Sequence, residues 1–195
     1  MKVHSRKKSQ SGIDMKNRGI VALWVILFLF LFPAPTGGEL VQEGTKEESP
    51  SVEQLYNTGY LMSMLGQHEQ AILLFQESLK IRPTAEAYTY LGWTYSHMGD
   101  YQRAIEEAEK AILVDPDFGN PYNDIGVYLM ELAREDEAIP YLEKAMRAKR
   151  YCCYQFPHFN MGRIYLKKKM YEKAREEFKK SLAIDPDYFP ASEAL

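Results

Sequence analysis

From residue 51 onward, apolar and polar positions fall into amphipathic runs of about fourteen residues, arranged in pairs around short turns. The turns sit at Gly66-Gln67, Gly99-Asp100, Ala133-Arg134 and Lys169-Met170. Glycines recur inside the first run of each pair, at Gly59, Gly92, Gly126 and Gly162, spaced 33, 34 and 36. Four residues before each stands a larger side chain: Leu55, Tyr88, Tyr122 and His158. Twelve residues after each comes an alanine: Ala71, Ala104, Ala138 and Ala174. Four further on are Phe75, Leu142 and Phe178, while Ala108 breaks the pattern in the second copy. Pro83, Pro116 and Pro186 close three copies, and Arg150 takes that place in the third.

This periodicity predicts an all-α chain. The small residues leave room for two helices to approach closely, so bulk at either would overpack the contact. One hairpin cannot bury its own apolar face, and the copies therefore stack into a solenoid whose stability is shared between neighbours. Ser51 is placed to cap the first helix, with Gln54 reaching back from three residues on. Pro140 falls inside the second helix of the third copy, where it removes one backbone hydrogen bond. Two extra residues fall in the stretch 149–155. Both departures read as tolerated irregularities.

The pattern resembles the tetratricopeptide repeat, W-x2-L-G-x2-Y…A-x3-F…P at a period near 34. The Leu91-Gly92 pair with Tyr95 matches outright, Ile125-Gly126 and Met161-Gly162 are close variants, and Thr58-Gly59 is the loosest. The resemblance implies a right-handed α-solenoid of four helix-turn-helix repeats, at about 51–84, 85–117, 118–151 and 152–186. Residues 187–195 would be a short terminal cap. It also implies a non-enzymatic scaffold whose first helices line a concave face that takes a peptide or protein segment. On that face the resemblance places Tyr56, Tyr60, Thr89, Trp93, Asn120, Asn123, Phe159 and Arg163. Aromatic anchors mixed with polar groups suit a binding surface, and Asn120 and Asn123 carry the donors and acceptors to hold an extended backbone. Related co-chaperones of cytosolic heat-shock proteins grip a terminal carboxylate with lysine, arginine and asparagine. The matching positions here are Tyr56, Tyr60, Tyr90, Asn120 and Asp124, without a cation. That carboxylate clamp is absent.

Charge changes the picture next. Hydrophobic residues at 46% and charged residues at 26% mark a globular chain, but its net charge of -3 is unevenly spread. Residues 1–18 carry +5, residues 19–133 carry -11, residues 134–180 carry +6 and the last fifteen carry -3. Lys144, Arg147, Lys149, Arg150, Lys167, Lys168, Lys169, Lys173, Lys179 and Lys180 make the second half basic. An adaptor for anionic lipid or polymer is therefore an alternative to the peptide scaffold. Self-association is a further expectation, with a partner or a second copy covering the apolar end of the fourth repeat.

Residues 19–32 form an uncharged apolar run after Lys16 and Arg18, ending at Pro33. Fourteen residues suit a secretory signal better than a full bilayer span. Residues 1–36 are thus expected to be a cleaved signal peptide or an uncleaved N-terminal membrane anchor, with residues 37–50 a flexible linker. Initiation at Met15 would leave a compact leader. The basic flank predicts that the rest faces outward, in the periplasm or on the outer side of the cytoplasmic membrane. Such a location points to envelope assembly or secretion and away from nucleic acid.

Catalytic signatures are missing: no G-x-S-x-G, H-E-x-x-H, Walker A or C-x-x-C pattern is present. Neither enzyme activity nor a cofactor is expected. The remaining chemistry is Cys152, Cys153 and His158. They would make this a thiol or metal protein, although a tetrahedral site would lack its fourth ligand.

Overall fold

The computed structural model describes residues 50–195. The expected leader, apolar run and tether lie outside these residues. Four helical hairpins follow one another along the chain. They are α1 (Val52–Met64) with α2 (His68–Ile81), α3 (Ala85–His97) with α4 (Tyr101–Val114), α5 (Asn120–Glu131) with α6 (Glu135–Ala145), and α7 (Gln155–Lys167) with α8 (Tyr171–Ile184). A five-residue helix, α9 (Phe189–Glu193), packs against α8 and buries Ala191. Strands are absent among the described residues, and Phe118 and Arg150 form one isolated bridge. No described helix is long and apolar enough to cross a membrane.

The predicted turns share one geometry. Gly66, Gly99, Ala133 and Lys169 all take left-handed φ, at 75°, 79°, 57° and 59°. In the first hairpin the amide of Gln67 donates to the Met62 carbonyl and that of Gly66 to Ser63. The pair recurs as Asp100 to Tyr95 with Gly99 to Ser96, as Arg134 to Leu129 with Ala133 to Met130, and as Met170 to Tyr165 with Lys169 to Leu166. Each satisfies carbonyls that a helix end would otherwise leave open. At the other end of α1, Ser51 and Gln54 form the expected reciprocal cap.

Within hairpins, helix approach is set by the glycine and by the residue sixteen positions later. A Cβ built on Gly59 would lie 2.9 Å from the Phe75 ring, on Gly126 2.4 Å from Leu142, and on Gly162 2.4 Å from Phe178. The second hairpin has Ala108 instead, and α3 closes on α4 until that Cβ would meet the Ala104 carbonyl oxygen at 2.8 Å. Ala71, Ala104, Ala138 and Ala174 are all buried, as the periodicity predicts. Two serines add directional ties: Ser78 donates to the Val52 carbonyl at 3.0 Å and Ser181 to that of Gln155 at 2.9 Å. Ala111 and Ala145 hold the corresponding buried places in the middle hairpins.

Between hairpins, each second helix packs against the next first helix, and successive first helices touch one another. One core cluster runs through these seams, with Phe75, Leu91, Tyr95, Ile125, Leu129, Leu142, Met161 and Ile164. Pro140 is solvent-exposed within α6, which has eleven residues where α2, α4 and α8 have fourteen.

Candidate functional site

Along the first helices, the aromatic residues at the first seam form a chain. The Tyr90 ring centre lies 6.2 Å from Tyr56 and 4.8 Å from Tyr60, and Tyr60 lies 5.8 Å from Trp93. Trp93 meets His97 edge-on at 4.1 Å, and His97 stacks over His68 at 6.1 Å. Tyr56, Tyr60, Tyr90 and Trp93 are half-buried, so they pack the seam and still present ring surface. Burial raises the Tyr90 hydroxyl above its ordinary value, with Tyr60, Tyr56 and Glu86 adding to it. Burial likewise raises Tyr56, assisted by Glu86 and Glu53.

Three expected surface residues are used differently. Thr89 is buried, and its hydroxyl donates to the Ala85 carbonyl of its own helix at 2.7 Å, which leaves no donor for a ligand. Asn123 is buried at the third seam, where its carbonyl accepts from the Asn160 amide at 3.1 Å. Phe159 packs against Phe178 at 5.7 Å and Tyr188 at 5.3 Å. Asn123 turned inward because the row that faces outward on an isolated helix meets the next first helix in the array, whereas Phe159, still half-buried, is drawn onto α8 and the segment after it. Asn120 opens α5 half-exposed. Arg163 is exposed, 3.9 Å from Glu131.

Reading each helix alone missed a cleft. Between the second and third hairpins lies a cavity of about 310 Å³, lined by Trp93, Ser96, His97, Tyr101, Asp124, Val127, Tyr128 and Glu131. Asp124 is the only charged side chain of α5 before Glu131, which was a usable signal in an otherwise uncharged helix. Burial pushes its carboxyl up to about 7, with Asn123 pulling the other way. Tyr90, too, was identifiable: it is four residues from both Glu86 and Thr94 on α3.

The basic second half is largely paired. Arg147 meets Glu143, Lys149 meets Asp117, and Arg150 meets Glu86 and Asp115. Lys167 meets Glu135, Lys168 meets Asp136 and Lys180 meets Glu177. This internal neutralisation weakens the case for an anionic lipid or polymer surface.

Cys152, Cys153 and His158 are not assembled into a site. The described residues hold no group of three such side chains able to bind a metal ion. His158 instead shares a 2.7 Å hydrogen bond with Glu177. Burial pushes the Glu177 carboxyl up, but its bonds to His158 and Lys180 outweigh that and hold it below its ordinary value. Burial and the neighbouring Cys152 raise the Cys153 thiol to about 11, far from the range of reactive thiols.

Comparison with known proteins agrees with the geometry. Family models of the tetratricopeptide repeat match residues 55–85, 85–118, 120–152 and 156–188. Mouse tetratricopeptide repeat protein 21B is 27% identical over 115 residues, 59% of this chain and 8% of that protein. The heat-shock protein cognate co-chaperone sgt12 of Aspergillus fumigatus is 26% identical over 102 residues, 52% of this chain and 30% of that protein. This chain thus spans less than a third of either relative. The solved structure of pilF from Pseudomonas aeruginosa superposes with a TM-score of 0.65 at 25% identity, covering 73% of this chain and 72% of that one. Four matched segments, each turning between its two helices through a residue in the same left-handed conformation and each nesting a glycine against its partner helix, make this chain a member of the tetratricopeptide repeat family.

Proposed function

We propose that this chain is a non-enzymatic scaffold that holds a segment of a partner protein against its first-helix face. The observation that carries this is the aromatic chain Tyr56–Tyr90–Tyr60–Trp93, whose rings are half-buried and pre-positioned by the first seam. Rigid aromatics of this kind supply contact area at low cost in side-chain entropy. Family membership supports the same reading. The co-chaperone role of sgt12 is not carried over, because the five positions of the carboxylate clamp hold no lysine or arginine.

The scaffold is placed on the outer side of a cytoplasmic membrane, in envelope assembly or secretion. The apolar run at 19–32 behind a basic flank supports that placement. An alkaline phosphatase fusion after Leu195 tests it: activity is expected, and an inactive fusion of normal abundance would count against export.

The binding reading is tested by crosslinking in intact cells and identifying the captured protein. Tyr60→Ala together with Trp93→Ala should reduce specific capture at least about tenfold, the loss of roughly 1.4 kcal/mol. The helical circular-dichroism signal should be retained. Undiminished capture by the folded double variant would remove the aromatic chain from the binding surface.

A further inference from the structure

The second and third seams differ at positions that correspond one for one in the repeat. At the third seam a cleft of about 340 Å³ contains Glu135 and Lys167, and these two form an ion pair. The protein supplies its own cation there. At the second seam Tyr101 stands in the place of Glu135, Glu131 in the place of Lys167, and Asp124 in the place of Asn160. The net change across these positions is one carboxylate more and one cation fewer.

Nothing inside the second cleft compensates them fully. Glu131 reaches Arg163 only at 3.9 Å, and no ion pair among the described residues includes Asp124. His97 is held below its ordinary value by burial and then by His68, so it is uncharged at neutral pH. Tyr128 is buried in the lining, and its hydroxyl lies near Ser96 without making a hydrogen bond of ordinary geometry. A part-buried carboxylate that joins no ion pair and a buried, unpartnered hydroxyl in one cavity are suited to a ligand that completes them.

We propose that this cleft is the anchor pocket for a lysine or arginine side chain of the bound segment, with the Asp124 carboxylate as counter-charge and Trp93, Tyr101 and Tyr128 as aromatic lining. It rests on the scaffold reading above and specifies the chemistry of the segment. A cation gains from both the carboxylate and the aromatic rings. An apolar side chain would seal the Asp124 carboxyl away from water without a partner, and an acidic one would be repelled. The wider field points the same way: residues 50–133 carry twelve carboxylates against four lysines and arginines.

Protonation adds a signature. Binding a cation selects ionised Asp124, so affinity should rise between about pH 6 and about pH 8, by up to about tenfold. The other titratable groups around the pocket are His97, Tyr101, Tyr128, Glu131 and, facing Asp124 from the following loop, Tyr151.

The full chain is applied to arrayed short peptides with mixed flanks and one fixed central residue: lysine, arginine, norleucine or glutamate. Lysine and arginine should be retained at least about tenfold more strongly than norleucine, and Asp124→Asn should level that preference while leaving thermal unfolding intact. Norleucine binding that equals lysine binding and is lost in Trp93→Ala would overturn the cation pocket and leave the scaffold standing. A lysine preference undiminished in Asp124→Asn, or pH dependence unchanged in that variant, would also overturn it. No retention on any peptide would remove both.

Discussion

Arg150 reaches back across 64 residues of sequence to hydrogen-bond Glu86 at the start of α3, at 2.5 Å. The same guanidinium pairs with Asp115 at 2.8 Å and lies 4.0 Å over the Phe118 ring. Arg150 occupies the place where the other three repeats carry proline. Its backbone uses that difference, since its amide donates to the Asp117 carbonyl at 2.8 Å, a bond proline cannot make. The Arg150 carbonyl in turn accepts from the Gly119 amide at 3.1 Å.

Arg150→Ala should lower stability by about 1 kcal/mol, because part-exposed ion pairs and one cation–ring contact are each modest. Arg150→Pro should cost about 0.5–1.5 kcal/mol more, the net worth of the lost amide bond to the exposed Asp117 residue. Thermal unfolding measures both, and faster hydrogen exchange at the Gly119 amide would report the released loop. Equal stability of the alanine and proline variants would show that the backbone bond contributes nothing.

The four nested glycines should not respond alike to a methyl group. In Gly59→Ala the added carbon meets the Phe75 ring at 2.9 Å, a side chain that can adjust about its own torsions. In Gly92→Ala it meets the Ala104 carbonyl, and backbone must move. Gly92→Ala is therefore expected to lose about 1–3 kcal/mol. Gly59→Ala should lose less, since alanine's better helix propensity offsets part of the strain. Denaturant unfolding of the two variants side by side checks the order.

Ala133 and Lys169 carry side chains in left-handed backbone, where Gly66 and Gly99 fill the equivalent places. Replacing either by glycine should stabilise the chain by up to about 1 kcal/mol, the relief of Cβ strain exceeding the added freedom of the unfolded chain. A drop in melting temperature for both would contradict this account of the turns.

These turns were legible in the sequence because they are local: a break in the apolar period marks them whether or not glycine is present. The Ser51 cap and the burial of the recurring glycines and alanines belong to the same class. Thr89, Asn123 and Phe159 were placed on the open face because spacing along one helix cannot tell where the next helix will lie. The Arg150 contacts with Glu86 and Asp115 join distant positions that no local pattern relates. The Asp124 cleft was hidden for a similar reason: its lining comes from three helices, and only comparison of the two seams sets it apart.

Cys153 offers a test that is independent of binding. With its thiol raised to about 11 beside Cys152, its alkylation rate in a Cys152→Ser background should rise about tenfold per pH unit and still be climbing above about pH 9. That substitution removes the hydrogen bond and charge of Cys152 and leaves burial, the first cause, to hold the thiol above its ordinary value. A plateau near pH 9 would show an ordinary exposed thiol.

The loop around Arg150 also bears on how the array can move. It laces together the starting ends of α3 and α5, whereas the cavity beside Trp93 and Asp124 opens near their finishing ends. The spacing of these two first helices is therefore pinned from one edge, and the side that would receive a guest is the one with fewest ties across it.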